Sequence, residues 1–310
     1  MLDQIRGLHH VTSMSRDADA NNHFFTDTLG LRRVKKTVNF DEPSVYHLYY
    51  GDEAGTPGSV MTYFPFPHIV RGRPGTGEVG ETVFSVPEGS LAFWKERFAE
   101  KGVNGVISEE AFGENRLRFA AVDGDSFALV EAKGDSRAPW TGGAVAGDEA
   151  IRGFAGATLR LGDSGTTEEL LKFMGYEHAD TSKGIKRFVI PGGNGADVID
   201  LQTLPNMQRG DLGAGSVHHI AFAVDDREAQ KAVRQALLDT GYQVTPVIDR
   251  DYFYAIYFRT PGGVLFEIAT NEPGFDKDED AAHLGEALKL PTQHEHRRAC
   301  LETHLPEIKD

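Results

Sequence analysis

One pattern recurs four times along this chain: a short apolar strand, a helix ended by glycine, then three β-rich stretches. Ile5-Arg6-Gly7-Leu8-His9-His10-Val11-Thr12 restarts as Ile151-Arg152-Gly153-Phe154-Ala155-Gly156-Ala157-Thr158. Val79-Gly80-Glu81-Thr82-Val83-Phe84-Ser85-Val86 and Val217-His218-His219-Ile220-Ala221-Phe222-Ala223-Val224 open the other two copies. A repeated unit must bury its apolar face against its neighbours, so the repeat dictates the architecture. The first unit, 6–66, predicts a helix over 19–29 stopped by Gly30, then strands at 32–39, 45–50 and 59–64. The second, 79–133, predicts a helix over 90–101 and strands at 103–108, 116–122 and 127–131. The third, 151–205, predicts a helix over 167–174 and strands at 176–181, 186–190 and 198–203. The fourth, 215–272, predicts a helix over 227–240 and strands at 242–248, 254–259 and 264–270.

The expected class is α+β, built from four tandem βαβββ modules. The 310 residues suggest two domains. We expect an N-terminal domain over 1–140 (modules 6–66 and 79–133) and a C-terminal domain over 148–272 (modules 151–205 and 215–272). Gly- and Pro-containing stretches at 68–78 and 134–150 read as linkers. The remainder, 273–310, reads as a charged tail, helical near 281–288 and 294–303. Gly192-Gly193-Asn194-Gly195 could suggest a phosphate loop, but it joins two predicted strands with no helix after it. It is read as a turn.

Three apolar strands carry residues that do not belong in a core unpartnered. His9-His10 and His218-His219 open the first and fourth modules, and Glu267 sits in Gly263-Val264-Leu265-Phe266-Glu267-Ile268. A charged or polar side chain on such a strand needs a partner. One imidazole from each pair and the Glu267 carboxylate would hold one metal. Two histidines and a carboxylate leave coordination positions open, the ligand set of non-haem Fe(II) oxygenases. His23, His47, His68, His178, His283, His294 and His296 lack matched partners and are read as structural or solvated.

The formal charge of −15, from 47 acidic and 32 basic residues, argues against nucleic acid as a partner. No apolar run has the length of a membrane span. The first residues show no basic-then-apolar leader. A single cysteine, Cys300, excludes an internal disulfide and a thiolate metal site, and the cytoplasm is the expected compartment.

Tandem βαβββ units with an early His-His pair resemble the vicinal oxygen chelate superfamily of glyoxalases, fosfomycin-resistance proteins and extradiol ring-cleaving dioxygenases. The most specific pieces are 8–12, 217–224 and 250–270, and the likeness falls in the branch of hydroquinone-type dioxygenases. It implies two half-open barrel-like cups, with ligands from the first and fourth modules. It assigns His10, His219 and Glu267 to the metal, Fe(II) with Mn(II) as the alternative. It places His9 and His218 towards the substrate pocket, and it makes Thr12, Arg250 and Tyr257 complete that pocket. Strand alternation would turn His9 and His218 away, so their placement requires a twist or bulge.

The activity implied is ring cleavage of a hydroquinone-like or catechol-like aromatic diol with O2, and a homo-oligomer is compatible with it. A metal-dependent lyase or isomerase of the glyoxalase type is one competing reading. A non-catalytic protein binding an aromatic or quinone compound is another. Glyoxalase-type lyases use a fourth ligand, a carboxylate on the last strand of the partner module. Aligning Val60 with Val264 puts Tyr63 there, which disfavours lyase chemistry. In the other pair of modules Glu81 and Gly156 occupy the histidine positions, so that cup is read as having lost its metal.

Overall fold

The computed structural model describes residues 1–145 and 147–309. The first module consists of β1 (Ile5–Ser15), α1 (Ala18–His23), β2 (Arg32–Val38), β3 (Tyr46–Gly51) and β4 (Val60–Pro65). The second has β5 (Glu78–Val86), α2 (Leu91–Glu100), β6 (Asn104–Ala111), β7 (Glu114–Ala120) and β8 (Ser126–Glu131). The third has β9 (Gly153–Leu161), α3 (Gly165–Phe173), β10 (Glu177–Ser182), β11 (Ile185–Val189) and β12 (Val198–Thr203). The fourth has β13 (Val217–Val224), α4 (Arg227–Asp239), β14 (Ile248–Asp249), β15 (Phe253–Arg259) and β16 (Leu265–Pro273). A short α5 (Arg298–His304) lies in the tail. The fold is α+β, with four βαβββ modules as the repeat required.

The modules pair across the chain. One eight-stranded sheet runs β14-β15-β16-β13-β1-β4-β3-β2, and the other runs β10-β11-β12-β9-β5-β8-β7-β6. Each sheet thus takes one module from each half, the first with the fourth and the second with the third. Antiparallel β1–β13 and β5–β9 contacts form the two seams. The helices and the backs of both sheets share one aromatic-rich core, with Phe84 lying between Phe127 and Phe154 at ring distances of 5.7 and 5.1 Å. Face-to-face burial of this kind is the main favourable term in holding the sheets together.

Local sequence explains the helix ends. Asp17 and Asp226 cap α1 and α4 by accepting from the amides of Ala20 and Ala229, satisfying donors that the first turn leaves free. The predicted helix over 19–29 divides instead: α1 gives way to a π-helical turn over Phe24–Thr28. That turn keeps both Phe24 and Phe25 buried. The strand expected at 242–248 is largely absent, since only Ile248 and Asp249 pair, with β15. Pro246 has no amide to offer a ladder, and the Thr245 hydroxyl accepts the Tyr257 amide at 3.0 Å in place of a strand carbonyl.

The linker at 68–78 lies alongside residues 209–214 through isolated bridges such as Arg73 to Asp211. The 192–195 segment is a turn between β11 and β12, and it grips β1. The Asn194 side-chain amide donates to the Leu8 carbonyl at 2.8 Å, and the Leu8 amide donates to Ala196 at 2.9 Å. Gly7, with φ at +100°, allows this approach, because a Cβ there would lie 2.6 Å from Asn194 Oδ1. The tail covers the outer edge of β2. Arg32 donates to the Ala281 carbonyl at 2.9 Å, and Lys289 donates to the Lys36 carbonyl at 2.9 Å. Covering an edge in this way removes a template for aggregation. The tail's first helical segment is shorter than expected, a 3-10 turn at Ala281–His283, while the second is present as a 3-10 turn over Thr292–Arg297 that runs into α5. Among the described residues no helix is long and apolar enough to cross a membrane.

Candidate metal centre and active site

The seam between β1 and β13 sets Thr12 opposite His219 and His10 opposite Ala221. The parallel neighbour β16 sets Glu267 opposite Ala221. Three far-separated side chains therefore converge. Nε2 of His10 lies 3.3 Å from Nε2 of His219 and 3.4 Å from Oε2 of Glu267, and His219 Nε2 lies 2.9 Å from the same oxygen. All three residues are buried, and among the described residues they are the one such cluster of potential metal ligands. Glu267 has no solvent exposure, yet neither carboxylate oxygen accepts a well-formed hydrogen bond. A carboxylate so placed is costly without a cation. Burial would push its pKa up, but the imidazoles of His10 and His219 outweigh it and hold the group well below the usual range. Burial lowers the His219 pKa, with Glu267 opposing the shift. This donor set fits a divalent metal.

The first histidine of each pair is the extra residue of a β-bulge. From Leu8 to His10, β1 advances two residues against one on β13, and from Val217 to His219, β13 advances two against one on β1. The bulges bring each first histidine beside the second. Nδ1 of His9 lies 2.9 Å from Nδ1 of His10, and Nδ1 of His218 lies 2.8 Å from Nδ1 of His219. The second nitrogen of His9 faces the Thr270 carbonyl at 3.1 Å. A carbonyl only accepts, so that nitrogen carries the hydrogen. Burial first, and then His10, push the His9 pKa down to about 3, so the ring is neutral. Its Nδ1 must then accept from Nδ1 of His10, so Nε2 is the His10 nitrogen that faces the cluster.

The cluster forms the floor of a cavity of about 950 Å³. His218, Arg250 and Tyr257 also line it. Arg250 Nε donates to the Tyr257 hydroxyl at 3.2 Å. Burial pushes the His218 pKa down to about 4, with His219 contributing next. His9 and Thr12 do not line the cavity. His9 stands behind His10 and is 3% exposed. Its pocket role is therefore corrected to a contact made through His10, because both its nitrogens are committed. Thr12 is reached indirectly: its hydroxyl bonds Thr62 at 2.8 Å, Thr62 bonds His47 at 2.8 Å, and His47 bonds the Tyr49 hydroxyl at 2.8 Å.

His47 and Tyr49 both line the cavity, although His47 reads in the sequence as a structural residue. Their spacing of two on β3 was the available signal, since alternate residues share a face. Phe40 at the mouth lies 5.3 Å from the Arg250 guanidinium, and its carbonyl accepts from His294 in the tail at 2.8 Å. The tail thereby holds one side of the entrance.

The sheet register also corrects one alignment. Glu267 pairs with Ala221, two residues beyond His219, and Thr62 pairs with Thr12, two residues beyond His10. The counterpart of Glu267 is thus Thr62 and not Tyr63, whose hydroxyl points elsewhere and donates to Asp125. Threonine, like tyrosine, is no carboxylate. In the second sheet the counterpart of Glu267 is Asp200, paired with Thr158 two residues beyond Gly156. Arg187 holds Asp200 through two hydrogen bonds of 2.9 Å, while Glu81 accepts from Arg118 at 2.6 Å. Guanidinium groups neutralise the carboxylates of that cup.

Two antiparallel-seamed cups of βαβββ modules with a ligand cluster in one of them define a class. Residues 7–268 match the family described as Glyoxalase/Bleomycin resistance protein/Dioxygenase superfamily, and the chain belongs to that superfamily. Within it the chain groups with the ring-cleaving dioxygenases. It is 42% identical over 306 residues to the Bacillus subtilis protein named "Putative ring-cleaving dioxygenase MhqO", covering 98% of this chain and 97% of that one. It is 35% identical over 304 residues to the chlorohydroquinone/hydroquinone 1,2-dioxygenase of Sphingobium indicum, covering 94% and 93%. The crystal structure of a "putative dioxygenase from Bacillus subtilis subsp. subtilis str. 168" superposes with a TM-score of 0.95 at 42% identity, covering 99% of this chain and 98% of that one. Glyoxalase I from Zea mays shares the fold at a TM-score of 0.63 and 15% identity, covering 90% and 96%.

Proposed function

We propose that this chain is a non-haem Fe(II)-dependent, extradiol-type dioxygenase that cleaves a hydroquinone-like or catechol-like ring with O2, and that it works in the cytoplasm. The observation that carries the reading is the His10–His219–Glu267 cluster, with its fully buried carboxylate, at the floor of a cavity. The relatives named for ring cleavage support it. When bound, Fe(II) would supply a centre where a phenolate and O2 can meet in the positions that three protein ligands leave open.

The chain's own residues do the rest. His9 and His218 fix the rings of His10 and His219 through their Nδ1 atoms, so the ligating nitrogens point the right way. His218 has its Nδ1 engaged by His219, so its Nε2 carries the ring hydrogen and is the nitrogen left to donate it to a substrate oxygen. Arg250 places a guanidinium where negative charge develops on substrate oxygen. Tyr257, held by Arg250, offers its hydroxyl to the same region. Thr62 at the fourth-ligand position weakens the lyase alternative.

Anaerobic loading with Fe(II), followed by oxygen uptake with hydroquinone and with catechol, tests the proposal. Stoichiometric uptake with a diol is expected. No uptake at full iron occupancy would overturn it, and turnover of a thiol hemithioacetal with Zn(II) or Ni(II) would replace it with the lyase reading.

A further inference from the structure

The cavity is much larger than a bare diol needs. An apolar cavity of about 150 Å³ accommodates a benzene ring, and the space here is about 950 Å³. That volume suits an organic ligand several times larger than one ring. Its catalytic end holds His10, His219, Glu267, His218, Arg250 and Tyr257. An apolar end begins at Phe64, whose ring is 5.9 Å from that of His218, and is formed with Met14, Val45, Phe66 and Ile69, while Asn39, Asp41, Glu42, Ser44 and His68 add polar groups to the lining. Met14 lies four residues beyond His10 on β1, about 13 Å along an extended strand. Phe64 is its neighbour in register on β4, and Phe66 and Ile69 continue the wall beyond the end of that strand. His47, whose two ring nitrogens are taken by Thr62 and Tyr49, offers no free polar atom to this end.

We infer that the cavity selects a diphenol carrying an extended apolar substituent, with the diol at the metal ligands and the substituent lying along β1 towards Phe64, Phe66 and Ile69. This rests on the ring-cleavage reading for the diol end and adds the chemistry of the rest of the substrate. Each methylene placed against Met14, Phe64, Phe66 and Ile69 leaves water.

The experiment is a series of hydroquinones: unsubstituted, methyl, butyl and octyl. Dissociation constants are measured by anaerobic equilibrium dialysis on the Fe(II)-loaded protein, and KM by oxygen uptake. Each added methylene that reaches the apolar end should tighten binding roughly fourfold, so the octyl compound should bind far better than hydroquinone. In a folded Phe64→Ala/Phe66→Ala variant, checked by circular dichroism, the dependence on chain length should flatten. Affinity that is level or falls beyond methyl, with oxygen uptake intact for hydroquinone, would overturn this inference and leave the ring-cleavage reading standing. Chain-length-dependent binding without oxygen uptake from any diol would support the apolar subsite and overturn the ring-cleavage reading instead. The wild-type series decides the matter even if the double variant does not fold.

Discussion

Nδ1 of His218 lies 2.8 Å from Nδ1 of His219, so a single hydrogen is shared between a cavity-lining ring and a ring in the ligand cluster. If His219 ligates through Nε2, that hydrogen belongs to His219 and His218 accepts it. Replacing His218 by Ala should leave the bound metal largely in place and lower kcat at least tenfold. Metal content measured alongside steady-state oxygen uptake separates the two effects. Unchanged kinetics would contradict a proton-transfer role.

The equivalent contact of His9 predicts a different result. His9 does not reach the cavity, so His9→Ala should act through His10 and lower metal affinity by about 10- to 100-fold. Competition against a fluorescent chelator gives the affinity. An affinity equal to wild type would show that the bulge at His9 does not orient the ligand.

Glu267 supplies the carboxylate of the cluster and is fully buried. Glu267→Ala should abolish tight metal binding. A metal that binds only the folded state raises the melting temperature. Adding Fe(II) anaerobically to metal-free wild type should therefore raise Tm by several degrees, and the variant should not respond. An equal rise in both proteins would place the metal elsewhere.

Lys35 is wholly buried on β2, with Nζ 2.6 Å from Asp278 and 2.5 Å from Glu279 and 4.7 Å from the centre of the Tyr252 ring. Lys35→Met would strand a buried carboxylate at Glu279, and removing one partner of a buried pair costs about 3 kcal/mol. Urea denaturation measures the loss, and faster proteolysis within 276–309 should accompany it. A change below about 0.5 kcal/mol, the scale of an ordinary surface substitution, would show that the tail is held by its other contacts alone.

Asp135 accepts from Ser85 at 2.6 Å and from Arg137 at 2.6 Å. Burial opposes its ionisation, but these bonds outweigh it and bring the pKa down to about 2, from 3.8. A carboxyl depressed on folding stabilises the protein above its unfolded pKa and loses that contribution as pH falls through the folded one. Asp135→Asn should cost about 1 kcal/mol at pH 7, after discounting for partial exposure. The gap from wild type should narrow below pH 4. Urea midpoints at pH 7 and pH 3 check this, and a gap independent of pH would refute it.

The repeat and the ligands were legible because each leaves a local mark. A strand–helix–strand period survives in apolar spacing and helix-ending glycines, and His10, His219 and Glu267 are polar residues on strands otherwise apolar. What sequence alone could not supply is register. The bulges at His9 and His218 shift one strand against its neighbour by a single residue, and a one-residue shift changes which face a side chain occupies. The same limit produced Tyr63 where the sheet places Thr62. Tyr49 pairs with Thr62 as Tyr257 pairs with Glu267, a match that only the register reveals, and His47 stands where the fourth module has Ala255, so the repeat gave no reason to select it. At 242–248 the β-rich composition pointed to a strand, and the missing amide of Pro246 with the capture of the Tyr257 amide by Thr245 prevented one.

The seam between the first and fourth modules also sets a timetable. His10 is separated from His219 by 209 positions, and at ribosomal rates of about 5–20 residues per second that distance takes roughly 10–40 s to synthesise. During that interval β1 lacks its partner β13 and carries an open edge. A nascent chain can fold α1 and the first hairpins early, but it cannot complete the metal pocket until the last module has emerged.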